Sequence, residues 1–339
     1  MEDRYSRQQL FSKIGEAGQR KLANKHVLLI GAGALGTGNA EMLVRAGVGK
    51  LTIADRDYVE WSNLQRQQLY VERDAKHRIP KAVAAERRLA EINGDVEVIA
   101  HVSDVSVEEI EQLVEGVDLI IDATDNFDIR LLINDASQKW GIPWIYGACV
   151  GSYGISYTII PGKTPCLNCL LEEVPLGGMT CDTAGIIGPA VGMVVAHQTT
   201  EALKILTEAE GDLRGTLVSF DLWENQFSNL NVAKIHNSDC PSCGNSRFYP
   251  FLDKENHMKT AVLCGRNTVQ IRPAVQVERD LQQLEQMLLA QGGKTERNPF
   301  LLSFTKDEHR VVVFRDGRVL VHGTKDISEA KSLYHKLFA

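Results

Sequence analysis

Short apolar runs alternate with helix-period runs along the first two thirds of this chain. Val27–Ile30 reads as a buried strand and leads directly into GAGALG, with glycines at 31, 33 and 36. A helical run follows over Thr37–Ala46, then a second apolar strand, Leu51–Ala54, that closes on Asp55. Pro80 suits the first position of a helix over PKAVAAERRLAEIN. VEVIAHV reads as a third strand, Val107–Leu113 as a short acidic helix, and VDLIIDAT as a fourth strand. The fourth is apolar throughout, which predicts a central position. A helix over Asp128–Trp140 leads to a fifth strand in PWIYGACV, and SYGISYTIIPG reads as an antiparallel strand and turn. Met1–Asn24 reads as helical, Pro189–Leu206 as a long helix, and LVSFDLWENQFSNLNVAKI as two antiparallel strands. This alternation predicts an α/β fold: a doubly wound, mainly parallel, Rossmann-like sheet with helices on both faces and an antiparallel part.

The pattern changes near the end. Residues 248–258 read as a linker, which separates a first domain, 1–247, from a small α+β domain, 259–339. The last domain carries a helix in VERDLQQLEQMLLAQGG and a hairpin, VVVFRDGRVLVHG, turning at Asp316-Gly317. It holds no cluster of catalytic residues. A length of 339 residues also favours two domains.

Composition narrows the partners. Apolar content of 44% with 24% charged residues is that of a soluble globular protein, and a net charge of −7 disfavours nonspecific binding to nucleic acid or membrane. No apolar run is long enough to span a bilayer. The amino terminus, MEDRYSRQQLF, lacks an apolar signal core, so the expected location is the cytoplasm.

The glycine turn is the first candidate for chemistry. A strand, a glycine turn and a helix start present backbone N–H groups and a positive dipole to phosphates. Asp55, ending the second strand, can take a ribose hydroxyl. The loop RDYVEWSNLQRQQLY follows, where Asn63, Gln65 and Arg66 face the carboxyl ends of the strands. Arg suits phosphate because its planar fork binds two oxygens at once. Lys81, at a helix start, opposes the dipole and is a candidate phosphate ligand. Asp125 follows the fourth strand and can either hold Mg²⁺ against phosphate oxygens or cap the next helix. Arg4 and Arg7 read as a solvated helix face. The turn alone would also serve a nicotinamide-dependent dehydrogenase, but no His or Lys base is placed for hydride transfer.

The seven cysteines include CLNC, at Cys166 and Cys169, and CPSC, at Cys240 and Cys243. Two such knuckles supply four thiolates for a tetrahedral structural Zn²⁺ site with no open position. Cys181, in the small polar loop GGMTCDTAG, can be a nucleophile or a small buried hydrophobe. Cys149 and Cys264 fit the second description.

Taken in order, RYSRQ, GAGALG, LTIADRDYVEWSNLQRQ, PKAVAA, DATDN, CLNC, MTCDTAG and CPSCG resemble the ThiF/MoeB/HesA family, bacterial relatives of ubiquitin-activating enzymes. The resemblance runs from Met1 to about Arg247. Beyond it, the chain resembles the extension of some ThiF-type proteins and not a rhodanese domain. The resemblance implies an adenylyltransferase that uses ATP and Mg²⁺ to activate the terminal glycine of a ubiquitin-like sulfur-carrier protein, releasing pyrophosphate. By this resemblance, Asp55 holds the ATP ribose and is grouped with Asp57. Gly31, Gly33 and Gly36 form the phosphate turn. Asn63, Arg66 and Lys81 hold the triphosphate, and Asp125 the magnesium. Arg7 becomes an arginine finger reaching the neighbouring subunit's ATP in a homodimer, and Cys181 the cysteine that can link covalently to the carrier. Ala34 stands where many members have a third adjacent glycine. Carriers of the thiamin and molybdopterin pathways both remain open, and a zinc-clasped nucleotide sensor without activity is the non-enzymatic alternative.

Overall fold

The computed structural model describes residues 3–173, 184–253, 260–262, 268–271, 278–306 and 309–338. The chain folds as two units, Met1–Lys76 with Pro80–Asn256, and His77–Ile79 with His257–Ala339.

The first unit is built on an eight-stranded sheet. Its strands are β1 (His26–Ile30), β2 (Lys50–Ala54), β3 (Glu97–His101), β4 (Leu119–Asp122), β5 (Trp144–Val150), β6 (Tyr153–Ile159), β7 (Leu217–Asp221) and β8 (Gln226–Leu230), in the order 3-2-1-4-5-6-7-8. The pairs from β3 through β5 are parallel, and those from β5 to β8 are antiparallel. β4 is fully buried between β1 and β5, as its apolar residues Leu119–Ile121 predict. The helices that matter for the site are α1 (Ala34–Ala46), α2 (Lys81–Ile92), α3 (Phe127–Trp140) and α4 (Gly188–Leu206).

Both faces of this sheet are covered. Leu28, Ile30, Ile120, Trp144 and Tyr146 pack with Ile110, Leu132 and Ile133 in one core. Gly147 follows Tyr146 and so faces the other way. A Cβ there would meet the Gln198 amide of α4 at 2.4 Å. α1 and α4 also approach closely, since a Cβ at Gly38 would meet Val195 at 2.8 Å.

Two elements differ from the sequence pattern. The amino-terminal stretch is broken into Ser6–Gln9 and Gly15–Leu22, because Gly15 takes a φ of +59°, which ends any continuous helix. α1 starts at Ala34, three residues before the expected Thr37, so Gly36 lies inside its first turn.

The second unit carries β9 (Thr260–Val262), β10 (Thr268–Ile271), β11 (Lys294–Arg297), β12 (Leu301–Lys306), β13 (His309–Phe314) and β14 (Val319–His322), an antiparallel sheet in the order 11-12-13-14-10-9. Helices α5 (Leu281–Ala290) and α6 (Ile327–Phe338) bury Leu284, Leu288, Ala330 and Leu337 against Val269, Phe304, Val311 and Val321. Gly317, at φ +85°, turns the β13–β14 hairpin.

Candidate active site

The glycines divide by what stops them carrying a side chain. Gly31 sits at φ +96°, and a Cβ there would lie 2.4 Å from the Ala123 carbonyl. A Cβ at Gly36 would lie 2.0 Å from the Gly31 carbonyl. The protein's own backbone therefore demands both. Gly33 has an ordinary φ of −80°. The nearest atom a Cβ there would meet is Gln67 Nε2, at 3.9 Å. The fold leaves that space open. Gly33 also begins α1 with no side-chain cap, so the dipole and first N–H groups of α1 are left for an anion.

Next to this turn stand the carboxylates at the end of β2. Asp55 accepts from Ala32 N at 2.6 Å and from Asp57 N at 2.7 Å. Burial pushes its carboxyl above the ordinary value, against the pull of Lys81. Lys81 is 3% exposed, and its Nζ lies 3.3 Å from Asp57 Oδ2. Its backbone N–H donates to the Asp57 carbonyl at 2.9 Å. Pro80 lies just before the helix, not in its first turn, with an extended ψ of 137° that lets it bridge to Tyr58. Lys81 is thus a buried cation at a helix start, a position tolerable only beside a carboxylate. Arg56 pairs with the buried Asp104 at 3.2 Å. Burial works against its charge, but Asp104 and then Asp57 hold its pKa above the usual value.

The SNLQR loop opens in a 3-10 turn, Trp61–Asn63. The side-chain oxygen Oδ1 of the buried Asn63 accepts from Glu60 N at 3.0 Å and locks the turn. Arg66 is half-buried and donates to the Ser62 carbonyl at 2.8 Å, while Gln65 is exposed. The sequence pattern missed two buried residues here, Gln67 and Tyr70. The Tyr70 hydroxyl donates to the Ala32 carbonyl at 2.6 Å.

Asp125 is exposed just beyond β4 and does not cap α3. Asn126 does so instead, accepting from Asp128 N at 2.8 Å. The loop hangs on an ion pair that the sequence pattern also missed. Asp122 is fully buried and meets Arg130 Nε at 3.0 Å. Its other oxygen accepts from Thr124 N at 2.9 Å and from Thr124 Oγ1 at 2.7 Å. Arg130 Nη2 in turn donates to the Thr124 carbonyl at 2.6 Å. Burial pushes Asp122 up, opposed by Arg130. The acid and arginine eight positions apart, across a strand end and the next helix's first turn, were the available signal.

The two CxxC knuckles meet. Cys166 Sγ lies 3.9 Å from Cys169 Sγ and 3.6 Å from Cys240 Sγ, and Cys169 Sγ lies 3.5 Å from Cys243 Sγ. All four are buried, with their sulfurs within 4.8 Å of one another. A tetrahedral zinc with bonds of about 2.3 Å spaces its sulfurs by about 3.8 Å, so the cluster suits that ion. Hydrogen bonds from Cys166 and then Cys243 hold the Cys169 thiol down at about 2, while the Cys166 thiol is raised by its bond to Cys169. A Cβ at Gly244 would meet the Ser238 carbonyl at 2.4 Å, which explains the glycine after the second knuckle. Cys149 is half-buried, while Cys181 and Cys264 lie outside the described residues.

Arg7 is exposed on Ser6–Gln9. The neighbouring Tyr5 hydroxyl accepts from Asn93 Nδ2 at 2.8 Å, and Arg4 donates to the Ile92 carbonyl at 3.0 Å. Among the described residues, no helix is long and apolar enough to cross a membrane.

Known proteins resemble this chain in sequence and in fold. Residues 5–242 match the profile of the ThiF family. The sulfur carrier protein ThiS adenylyltransferase of Bacillus subtilis (strain 168) is 57% identical over 336 residues, covering 99% of each chain. The protein of the same description from Escherichia coli (strain K12) is 37% identical, covering 73% of this chain and 97% of its own. The adenylyltransferase and sulfurtransferase MOCS3 of Aedes aegypti is 32% identical over 79% of this chain and 64% of its own. In structure, Escherichia coli MccB, crystallised with ATP, superimposes with a TM-score of 0.63 at 21% identity, covering 72% of this chain and 75% of that one.

Proposed function

Since this chain belongs to the ThiF family, we propose that it adenylylates the terminal glycine of a ubiquitin-like sulfur-carrier protein of the ThiS type, with ATP as the nucleotide donor. The observation that carries the reading is the convergence of Gly33, Asp55, Asp57 and Lys81 at the carboxyl ends of β1 and β2. The 57% identity to a ThiS adenylyltransferase over 99% of the chain supports the choice of carrier. The family membership also removes the reason for a hydride-transfer reading of the glycine turn.

The chemistry asks little covalent help. A carrier carboxylate oxygen attacks the α-phosphorus of ATP, a P–O bond forms, and the bond to the bridging oxygen breaks to release pyrophosphate. The carboxylate is already ionised at neutral pH, so no general base is required. The remaining tasks are positioning and neutralisation of phosphate charge. Asp55 takes the ribose hydroxyls, and Gly33 with the start of α1 admits the phosphates. Asn63, Arg66 and Lys81 line the triphosphate path. Asp125 would hold Mg²⁺, which would supply positive charge against the phosphates. Lys81 pairs with Asp57 until a phosphate competes for its ammonium.

Cys166, Cys169, Cys240 and Cys243 would hold a zinc ion whose four thiolate ligands leave no open position for substrate, a structural role joining the two knuckles. A homodimer, in which Arg7 reaches the neighbour's ATP, completes the charge set. Cys181 is the candidate for a covalent link to the carrier, and the cytoplasm is the expected compartment.

Carrier-dependent ATP–pyrophosphate exchange tests the proposal, with ThiS-type and MoaD-type carriers assayed separately and Asp125→Ala as control. Exchange with the ThiS-type carrier, lost in the variant, is the expected result. Exchange with only the MoaD-type carrier would move the protein to the molybdopterin pathway. No exchange with either, despite bound ATP and zinc, would leave a nucleotide sensor.

A further inference from the structure

Five residues close a ring of hydrogen bonds beside the glycine turn. Asp55 Oδ2 accepts from Ala32 N at 2.6 Å, and Ala32 O accepts from the Tyr70 hydroxyl at 2.6 Å. The same hydroxyl lies 3.2 Å from the Lys81 carbonyl. Lys81 reaches Asp57 through its backbone N–H, at 2.9 Å, and through Nζ, at 3.3 Å. Asp57 N closes the circle on Asp55 Oδ1 at 2.7 Å. Four members belong to the glycine turn or to the polar set at the strand ends. Tyr70 belongs to neither, yet it joins the turn to the start of α2.

Its position explains why a phenol is used. Tyr70 is 5% exposed, so its ring fills core space while its hydroxyl serves two carbonyls. A single hydroxyl proton serves one acceptor at a time, and the shorter distance assigns it to Ala32. The Lys81 carbonyl takes the weaker share. Burial, and then the Asp55 carboxylate, push the hydroxyl well above its usual pKa, so it remains a donor. Without it, two carbonyls lose a donor in a place largely closed to water. Both belong to segments whose spacing matters: Ala32 precedes Gly33, and Lys81 carries the buried ammonium.

We propose that Tyr70 is a positioning residue for the nucleotide, its hydroxyl fixing the distance between the glycine turn and Lys81 into which the triphosphate fits. The inference rests on the reading of Gly33 and Lys81 as triphosphate ligands. Tyr70 touches no reacting atom, so its loss weakens ATP binding and spares the chemistry of the bound complex.

The test is carrier-dependent ATP–pyrophosphate exchange by Tyr70→Phe, with ATP and carrier varied in turn and Lys81→Ala measured beside it. Loss of this buried hydrogen bond is expected to raise KM for ATP about tenfold. KM for the carrier, kcat at saturating ATP and zinc content stay near wild type. In a Lys81→Ala background the Phe substitution adds nothing further to KM for ATP. Replacing Tyr70 by 3-fluorotyrosine keeps the donor and the fold, and so keeps the wild-type KM. An unchanged KM for ATP in Tyr70→Phe, with or without a lower melting temperature, overturns the proposal, since a merely structural hydroxyl would behave so. So does a KM raised equally by 3-fluorotyrosine. A raised KM for ATP in Lys81→Ala beside a normal one in Tyr70→Phe sinks the Tyr70 assignment alone. Exchange unaffected by Lys81→Ala sinks the underlying reading of the site.

Discussion

Gly33 and Gly36 belong to one motif but answer to different masters. A methyl at 36 collides with the Gly31 carbonyl at 2.0 Å, while a methyl at 33 finds its nearest neighbour at 3.9 Å. Gly36→Ala is therefore expected to unfold or strongly destabilise the protein, as thermal melting would register. Gly33→Ala should fold with a wild-type melt and show a raised KM for ATP in the exchange assay. If both variants melted alike, the distinction would be wrong. Asp55 adds a pH dependence at the same scale. It accepts two backbone N–H bonds as a carboxylate, and burial raises its pKa. A raised pKa means the proton arrives at higher pH than on a free Asp, whose ordinary value is about 3.9. As pH falls, one acceptor oxygen is lost early, so kcat/KM for ATP should drop through an acid limb above the ordinary carboxylate range. A limb that survives in a folded Asp55→Asn variant would assign it to another group. The sequence made this much visible because a glycine turn and an acid at a strand end are local patterns. Tyr70 stayed hidden because its role is a hydrogen bond to two segments that only the folded chain brings together.

At the scale of elements, β4 shows both the reach and the limit of pattern reading. Its four buried residues announced a central strand, and it lies between β1 and β5. The loop after β4 is governed by the Asp122–Arg130 pair, which hydrophobic periodicity does not reveal. Arg130 spans from α3 to the Thr124 carbonyl and also lies 5.0 Å from the Phe127 ring, so the loop bearing Asp125 is held from both sides. Removing one partner strands the other charge in the core. Asp122→Ala is expected to cost about 3–5 kcal/mol in a denaturant titration. A loss below about 1 kcal/mol, the range of an exposed pair, would show that solvent reaches the site. The opposite surprise is Asp125, where the cap geometry competed with a ligand role until Asn126 took the cap. Adjacent Asp and Asn both suit an N-cap, and only the backbone course decides between them.

For the whole molecule, the question is what the carboxy-terminal unit adds. The Bacillus subtilis relative aligns over 99% of both chains, whereas the Escherichia coli relative reaches 97% of its own length within 73% of this one. Less than three quarters of this chain thus matches nearly the whole of that relative, and the first unit of this chain has its own sheet and core. The place to cut is not the start of the expected linker at Phe248. Phe251 N donates to the buried Asp135 at 2.8 Å, and Phe248 N donates to the Pro241 carbonyl at 3.0 Å, within the second knuckle. These bonds tie the segment to the cysteine cluster and to α3, so a cut at 247 would leave Asp135 without this donor. We expect a chain ending at Asp253 to fold, to retain one zinc and to catalyse carrier-dependent exchange, while a chain ending at Arg247 melts several degrees lower. Titrating a strong chelator into both should release zinc from the shorter chain first. Equal melting and equal zinc retention would refute the structural role of Phe248–Asp253. Loss of exchange in the longer chain, with its fold intact, would instead assign the second unit a part in the reaction.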